Sequence, residues 1–281
     1  MRPRKRRKLT VGQSITYVLL ILTLLASAFP IYWTFVVASS TNEAIADVPP
    51  RLVPGGHLME NVRRVFDNDA ANFAKALVNT AIVSTTVAVS VLVLSSLAGF
   101  AFAKLRFRGR NVLLLLVVAS LSVPTQLGVI PLYILMGKLH WNGHLQAVIV
   151  PFLVSAFGVF FMTQYLRQAL PMELIDAARV DGASTFRTYR SIVLPIARPA
   201  TAVLGLLTFV ASWNDFFWPL VVLNAENPTV QVAISSLSSG IEVDYALTLT
   251  GAVVGTFPIL LVFVLFGRQI IGGIMHGAVK G

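Results

Sequence analysis

Five times along its 281 residues the chain runs without a single Asp, Glu, Lys or Arg, at about 15–37, 76–103, 113–135, 145–166 and 247–266. A sixth apolar run, about 200–223, carries one acid, Asp215. A helix of roughly 20 apolar residues spans the hydrocarbon core of a bilayer, and nothing in water asks for such runs repeatedly. Only 12% of the residues are charged, about half the usual share of a soluble domain. Inside lipid every backbone N–H and C=O must be paired within the chain, which leaves helices or closed barrels. Runs this long select helices. The expected fold is an all-α polytopic membrane protein with six transmembrane helices, its bundle occupying 15–281 behind a basic segment, 1–14.

Charge sets the orientation. Of the 22 basic residues, all but Arg51, Arg63, Arg64, Lys75 and Lys138 fall on one side if the six spans alternate. The RPRKRRK block, KLRFRGR (Lys104 to Arg110) and the basic residues from Arg167 to Arg198 share that side. Short loops rich in Lys and Arg stay in the cytoplasm, so both termini are expected inside. The same clustering beside apolar runs accounts for the net charge of +10 without nucleic acid, because no basic face is interleaved with aromatics. Ala26-Ser27-Ala28 has the small residues of a cleavage site, yet the apolar run continues through Ile31, Trp33 and Val37, as an uncleaved span does. Between Ser39 and Lys75 the chain is polar, punctuated by Pro49-Pro50, Pro54 and Gly55-Gly56, with a short helix expected over His57 to Phe66. The chain has no cysteine, which removes disulfides and thiolate chemistry.

Against this background one inside segment stands out, ELIDAARVDGASTFRTYRSIVLP, Glu173 to Pro195, between spans four and five. It reads as two short helices within the loop 167–199. Leu174, Ile175, Ala177 and Ala178 supply an apolar face to the first. Gly182 permits a turn at positive φ, Ser184 or Thr185 caps the second helix, and Pro195 ends it for want of an N–H. The pattern alone leaves two readings open: a loop lying on the membrane surface, or a helix offered to a groove on a partner.

The segment resembles the cytoplasmic EAA loop of bacterial ATP-binding cassette importer permeases, through Ala177-Ala178, Gly182 and Ile192-Val193-Leu194-Pro195. Asp176 stands where that motif usually carries Glu, so the carboxylate is one methylene shorter. ENVRRVF after span one, VPTQLGVIPLYILM in span three, SWNDFFWPL in span five and the terminal GGIMHGAVKG are similar to sugar-importer permeases of the kind represented by the maltose transporter's G subunit. The resemblance implies a coupling helix and turn made by Glu173, Asp176, Ala177, Ala178, Asp181, Gly182, Ala183 and Ser184. It also implies a bacterial plasma (inner) membrane location and four partners: a second homologous permease, two ATP-binding cassette ATPases and an extracytoplasmic solute-binding protein. The implied cargo is a sugar or oligosaccharide, with glycerol-phosphate as the alternative from the same branch.

No G-x-x-x-x-G-K-[ST] phosphate loop occurs, so ATP and Mg are expected in the partner ATPases and no cofactor in this chain. Neither is a catalytic constellation found, and a secondary transporter would need no docking loop. His140 and His144 have i, i+4 spacing, but Asn142-Gly143 between them favours a turn over a metal site. Asp215 is the one acid within a run, and intramembrane acids point to function; with Trp213, Asn214 and Phe216 it suggests a pathway for a polar solute. The opposing reading puts SWNDFFWPL in an interfacial aromatic belt. Asn79 and Gln126 are further pathway candidates, although such side chains also join helices.

Overall fold

In the computed structural model residues 11–45, 47–49, 52–239 and 243–278 are described, with side chains from 12 to 265 within those ranges. The basic block before Thr10, Arg51 and Lys280 lie outside the described residues, as do the side chains of Arg268 and His276. Every regular element among the described residues is helical. In order they are α1 (Val11–Ala38), α2 (Asn42–Ile45), α3 (Leu58–Phe66), α4 (Phe73–Lys104), α5 (Arg110–Ser120), α6 (Val129–Lys138) and α7 (Gln146–Ile149). The second half holds α8 (Ala156–Ala169), α9 (Met172–Val180), α10 (Thr185–Thr188), α11 (Leu194–Trp213), α12 (Phe217–Val222), α13 (Val230–Leu237) and α14 (Tyr245–Ala278). Five helices are long and apolar enough to cross a membrane, and α5 with the segment Thr125–Lys138 makes a sixth crossing if that bent pair is one span.

Backbone packing divides the chain into two units, Met1–Val65 with Leu237–Val254, and Phe66–Ser236 with Gly255–Gly281. In the first, α1 exposes its side chains from Gly12 through Tyr32, an apolar surface that suits lipid or another helix. Its C-terminal end is tied down. The Asn61 side-chain amide, 3% exposed, donates to the carbonyls of Ala38 and Ser40 at 3.0 and 2.9 Å. Thr250 Oγ1 donates to Ala38 at 2.9 Å. These bonds satisfy carbonyls that a helix end leaves orphaned. Asp244 starts α14 by accepting the Leu247 N–H and pairs with Arg64 of α3.

The second unit is built on α4, α8 and α11. Val83, Val87 and Val91 repeat at i, i+4 along α4 and are buried, while Ser95 and Gly99 continue the stripe toward its end. Small residues let α8 approach closely. A Cβ on Gly99 would lie 2.6 Å from Met162 Cβ, and one on Gly158 would lie 2.4 Å from Ser95 Oγ. Membrane helices associate largely by this kind of backbone proximity, since lipid offers no hydrophobic drive between them.

Three of the apolar runs are interrupted rather than single helices. The run 113–135 is interrupted after α5, where Pro124 leads into a 3-10 turn, Thr125–Gly128, and the direction changes by 90°. The run 145–166 is divided between α7, a 3-10 turn at Val150–Phe152, and α8. The helix expected over 200–223 stops at Trp213 and restarts as α12. Conversely, Pro195 does not end its helix, contrary to the sequence reading. From Thr185 the chain stays helical through a π turn at Tyr189–Val193 into α11. The Leu194 N–H bonds the Tyr189 carbonyl five residues back, and the shifted ladder accommodates a proline that cannot donate.

Candidate functional site

Two places gather the residues singled out above, a polar hairpin and an open-sided cavity. The hairpin begins at Pro171, and α9 runs to Val180. Its end is a Schellman motif: the Ala183 N–H bonds the Ala178 carbonyl at 2.9 Å and the Gly182 N–H bonds the Arg179 carbonyl at 3.0 Å. Such a cap needs a left-handed residue at its turn, and Gly182 has φ +73 with nothing within 4 Å of a built Cβ. Backbone conformation, not crowding, therefore selects glycine here. Ser184 follows as the cap of α10, its Oγ accepting the Arg187 N–H at 3.2 Å.

The faces of α9 separate differently from the sequence reading. Ile175 and Ala178 are buried against the chain's own core, while Leu174 and Ala177 point outward. One alanine of the pair thus seats the hairpin and the other is presented. Glu173, Asp176, Asp181 and Gly182 are exposed beside them, as are the apolar Val180 at 87% and Phe186 at 66%. Asp176 accepts from Arg179 at 3.0 Å within the helix, a solvent-exposed pair of small energetic weight. The hairpin is anchored behind this face: Tyr189 O–H and Ser96 Oγ lie 2.6 Å apart, joining it to α4.

The cavity, about 510 Å³ in volume, lies among α4, α5, α8 and α11. All three interrupted spans open onto it: Ser120 to Thr125 from the first, Val148 to Phe157 from the second, Ser212 and Asp215 from the third. Non-helical backbone at membrane depth survives only where protein or a watery cavity covers it. Thr80, Thr208, Ser212 and Thr229 are among the lining residues with Asp215, and none of the described lining residues is basic. Thr229 Oγ1 is buried without a hydrogen-bond partner among the described residues.

Of the six pathway candidates, Asp215 lines this cavity. Half-buried, it precedes α12 with its carboxylate toward the Trp218 backbone N–H. Trp213 is 2% exposed and donates its indole N–H to the Gly255 carbonyl at 3.0 Å, so it is built into the packing. Asn79 donates to the Pro228 carbonyl at 3.0 Å. Asn214 bonds the Val210 carbonyl and accepts from Gln231. Gln126 sits exposed in the 3-10 turn, and Phe216 is exposed at the head of α12. The lining threonines carry no sequence signal, because Thr is an ordinary member of membrane helices.

No group of three or more His, Asp or Glu side chains suited to a metal occurs among the described residues. His57 pairs with Glu60 at 3.1 Å, and His140 occupies a positive-φ turn.

Comparison with known proteins fits this architecture. The arabinooligosaccharides transport system permease protein of Halalkalibacterium halodurans is 38% identical over 204 residues, 72% of this chain and 73% of its own. Its counterpart from Bacillus subtilis is 33% identical over 84% of this chain and 82% of its own. The sn-glycerol-3-phosphate transport system permease protein of Salmonella typhi is 32% identical, covering 81% of each chain. A crystal structure of a bacterial ABC transporter involved in the import of the acidic polysaccharide alginate contains a chain that superposes with a TM-score of 0.78. That likeness covers 93% of this chain and 99% of the other at 23% sequence identity, and it concerns the fold. Residues 91–270, which include both the hairpin and most of the cavity wall, match the family of binding-protein-dependent transport system inner membrane components, and the chain belongs to that family.

Proposed function

We propose that this chain is half of the membrane pore of an ATP-driven importer in a bacterial inner membrane, with both termini in the cytoplasm. It pairs with a second permease, receives cargo from an extracytoplasmic solute-binding protein, and is driven by two ATPase subunits that hold the ATP and Mg. The observation that carries this reading is the hairpin 172–188, a capped pair of helices presenting apolar and acidic side chains that no described residue covers.

In this account Glu173, Asp176, Ala177, Asp181 and Gly182 enter a cleft on the ATPase, while Ala178, Ala183 and Ser184 hold the turn from behind. Closure of the ATPases around nucleotide displaces the hairpin. Because α10, the π turn and α11 are one continuous helix, that displacement reaches Asp215 and the cavity directly. Nucleotide then biases a two-state equilibrium between inward- and outward-open pores, as any ligand does that prefers one state. The relatives' cargoes support a carbohydrate, with glycerol-phosphate as the second reading.

The test is co-purification. Membrane-extracted chain is expected to bring down its cognate ATPases, and to lose them when Glu173–Ser184 is replaced by a polar linker. Retention of the ATPases after replacement would move the contact elsewhere.

A further inference from the structure

We propose that the cavity selects an uncharged polyhydroxylated cargo, and that Asp215 is the residue on this chain that both binds such a cargo and turns anionic ones away. The inference rests on the importer reading above and narrows it, separating neutral oligosaccharides from glycerol-phosphate and from acidic saccharides.

The wall includes several Ser and Thr residues, one carboxylate and, among its described residues, no basic side chain. A phosphate or uronate entering it would meet Asp215 with no cation from this chain's described lining to offset the repulsion between like charges. Two helix N-termini reach the cavity, and such ends attract anions. Both already have a side-chain oxygen beside them. Ser155 Oγ accepts the Gly158 N–H of α8 at 3.1 Å, and Asp215 faces the Trp218 N–H of α12.

A neutral sugar has the opposite fit. Its hydroxyls donate to a carboxylate in charge-assisted bonds, and the partly buried Thr208 and Ser212 beside it on the wall add neutral polar partners. The apolar part of the wall, Val83, Val87, Phe152 and Phe157, suits the C–H faces of a sugar ring. Ligand sites commonly combine such an apolar lining with a few convergent polar groups.

The complete importer, reconstituted in proteoliposomes with its ATPases and binding protein, provides the test. Uptake is measured for a panel of neutral di- to tetrasaccharides, for the same sugars oxidised at one end to a carboxylate, and for sn-glycerol 3-phosphate. Wild type is compared with Asp215→Asn, which keeps an acceptor for the Trp218 N–H, and with Asp215→Lys. Each variant is first shown to co-purify with its partners as wild type does. The same binding protein serves all three, so its own preference cancels in the comparison. The neutral-to-anionic uptake ratio is expected to fall about tenfold in Asp215→Asn, the scale of one charge–charge interaction across about 12 Å at an effective dielectric constant near 20, and further in Asp215→Lys. An unchanged ratio in both variants overturns the proposal. Wild-type uptake of glycerol 3-phosphate in preference to every neutral sugar overturns it as well, while leaving the importer reading intact. Absence of ATP-dependent uptake of any carbohydrate or phosphate ester overturns both.

Discussion

Gly182 shows how much one residue decides. Its φ of +73 closes the Schellman turn, and a β-branched side chain there meets backbone strain of about 1–3 kcal/mol. Gly182→Val is therefore expected to leave the spans folded but distort the hairpin, with ATP hydrolysis continuing while uptake falls several-fold; matched ATPase and transport rates in proteoliposomes check this. Unchanged uptake would remove the turn from the coupling argument. Asp176→Glu is expected to be tolerated, since Asp176 is exposed and its pairing with Arg179 is local. Tyr189→Phe is different in kind. It removes a buried hydroxyl 2.6 Å from Ser96 Oγ but leaves Ser96 bonded to the Val93 carbonyl, so a loss of about 1 kcal/mol is expected, read as a small drop in Tm.

Among elements, the contact of α4 with α8 governs the second unit. Gly158 sits where any Cβ would fall 2.4 Å from Ser95 Oγ and 3.2 Å from Val91 Cγ1. Gly158→Leu is expected to push the helices apart at a cost of about 1–3 kcal/mol or more, lowering Tm in detergent and the yield of assembled complex. Gly12→Leu, with nothing within 4 Å of its Cβ, serves as the neutral comparison. Element interruptions were the least legible feature of the sequence, and proline explains why. Pro30, Pro199 and Pro258 lie inside continuous helices, whereas Pro124 leads into a break. Pro131 and Pro219 occupy first turns of α6 and α12, where the missing N–H has no helical partner to lose. The same residue thus marks a kink, a start or a break, depending on neighbours the local sequence does not specify. Pro195 misled for this reason, its missing donor being absorbed by a π turn.

At the scale of the molecule, the apolar runs carried most of what the sequence disclosed, because lipid permits so few backbone solutions. The helical class and the family follow from them and from the loop motif. Gly182 and Ser184 were legible too, since a left-handed turn and a helix cap depend on local chemistry. The cavity wall was not. Thr80, Thr229 and the pair Thr208 and Ser212 come from three separate segments, and only the packing of α4 and α11 with the broken spans brings them together. Asp215 was visible as an intramembrane acid, and the structure adds the cavity that it lines.

The central claim is that the hairpin is the motor contact, and the cysteine-free sequence makes a direct test possible. A single cysteine at Val180, 87% exposed at the end of α9, would be the chain's sole thiol. In the assembled importer, Val180→Cys is expected to cross-link to the ATPase with a short bifunctional reagent, and to react with a membrane-impermeant thiol reagent only from the cytoplasmic side. Met59→Cys on α3, also exposed, should react only from the opposite side and give no ATPase adduct. Labelling of Val180→Cys from outside, or an ATPase adduct from Met59→Cys alone, would contradict the orientation and the coupling role together.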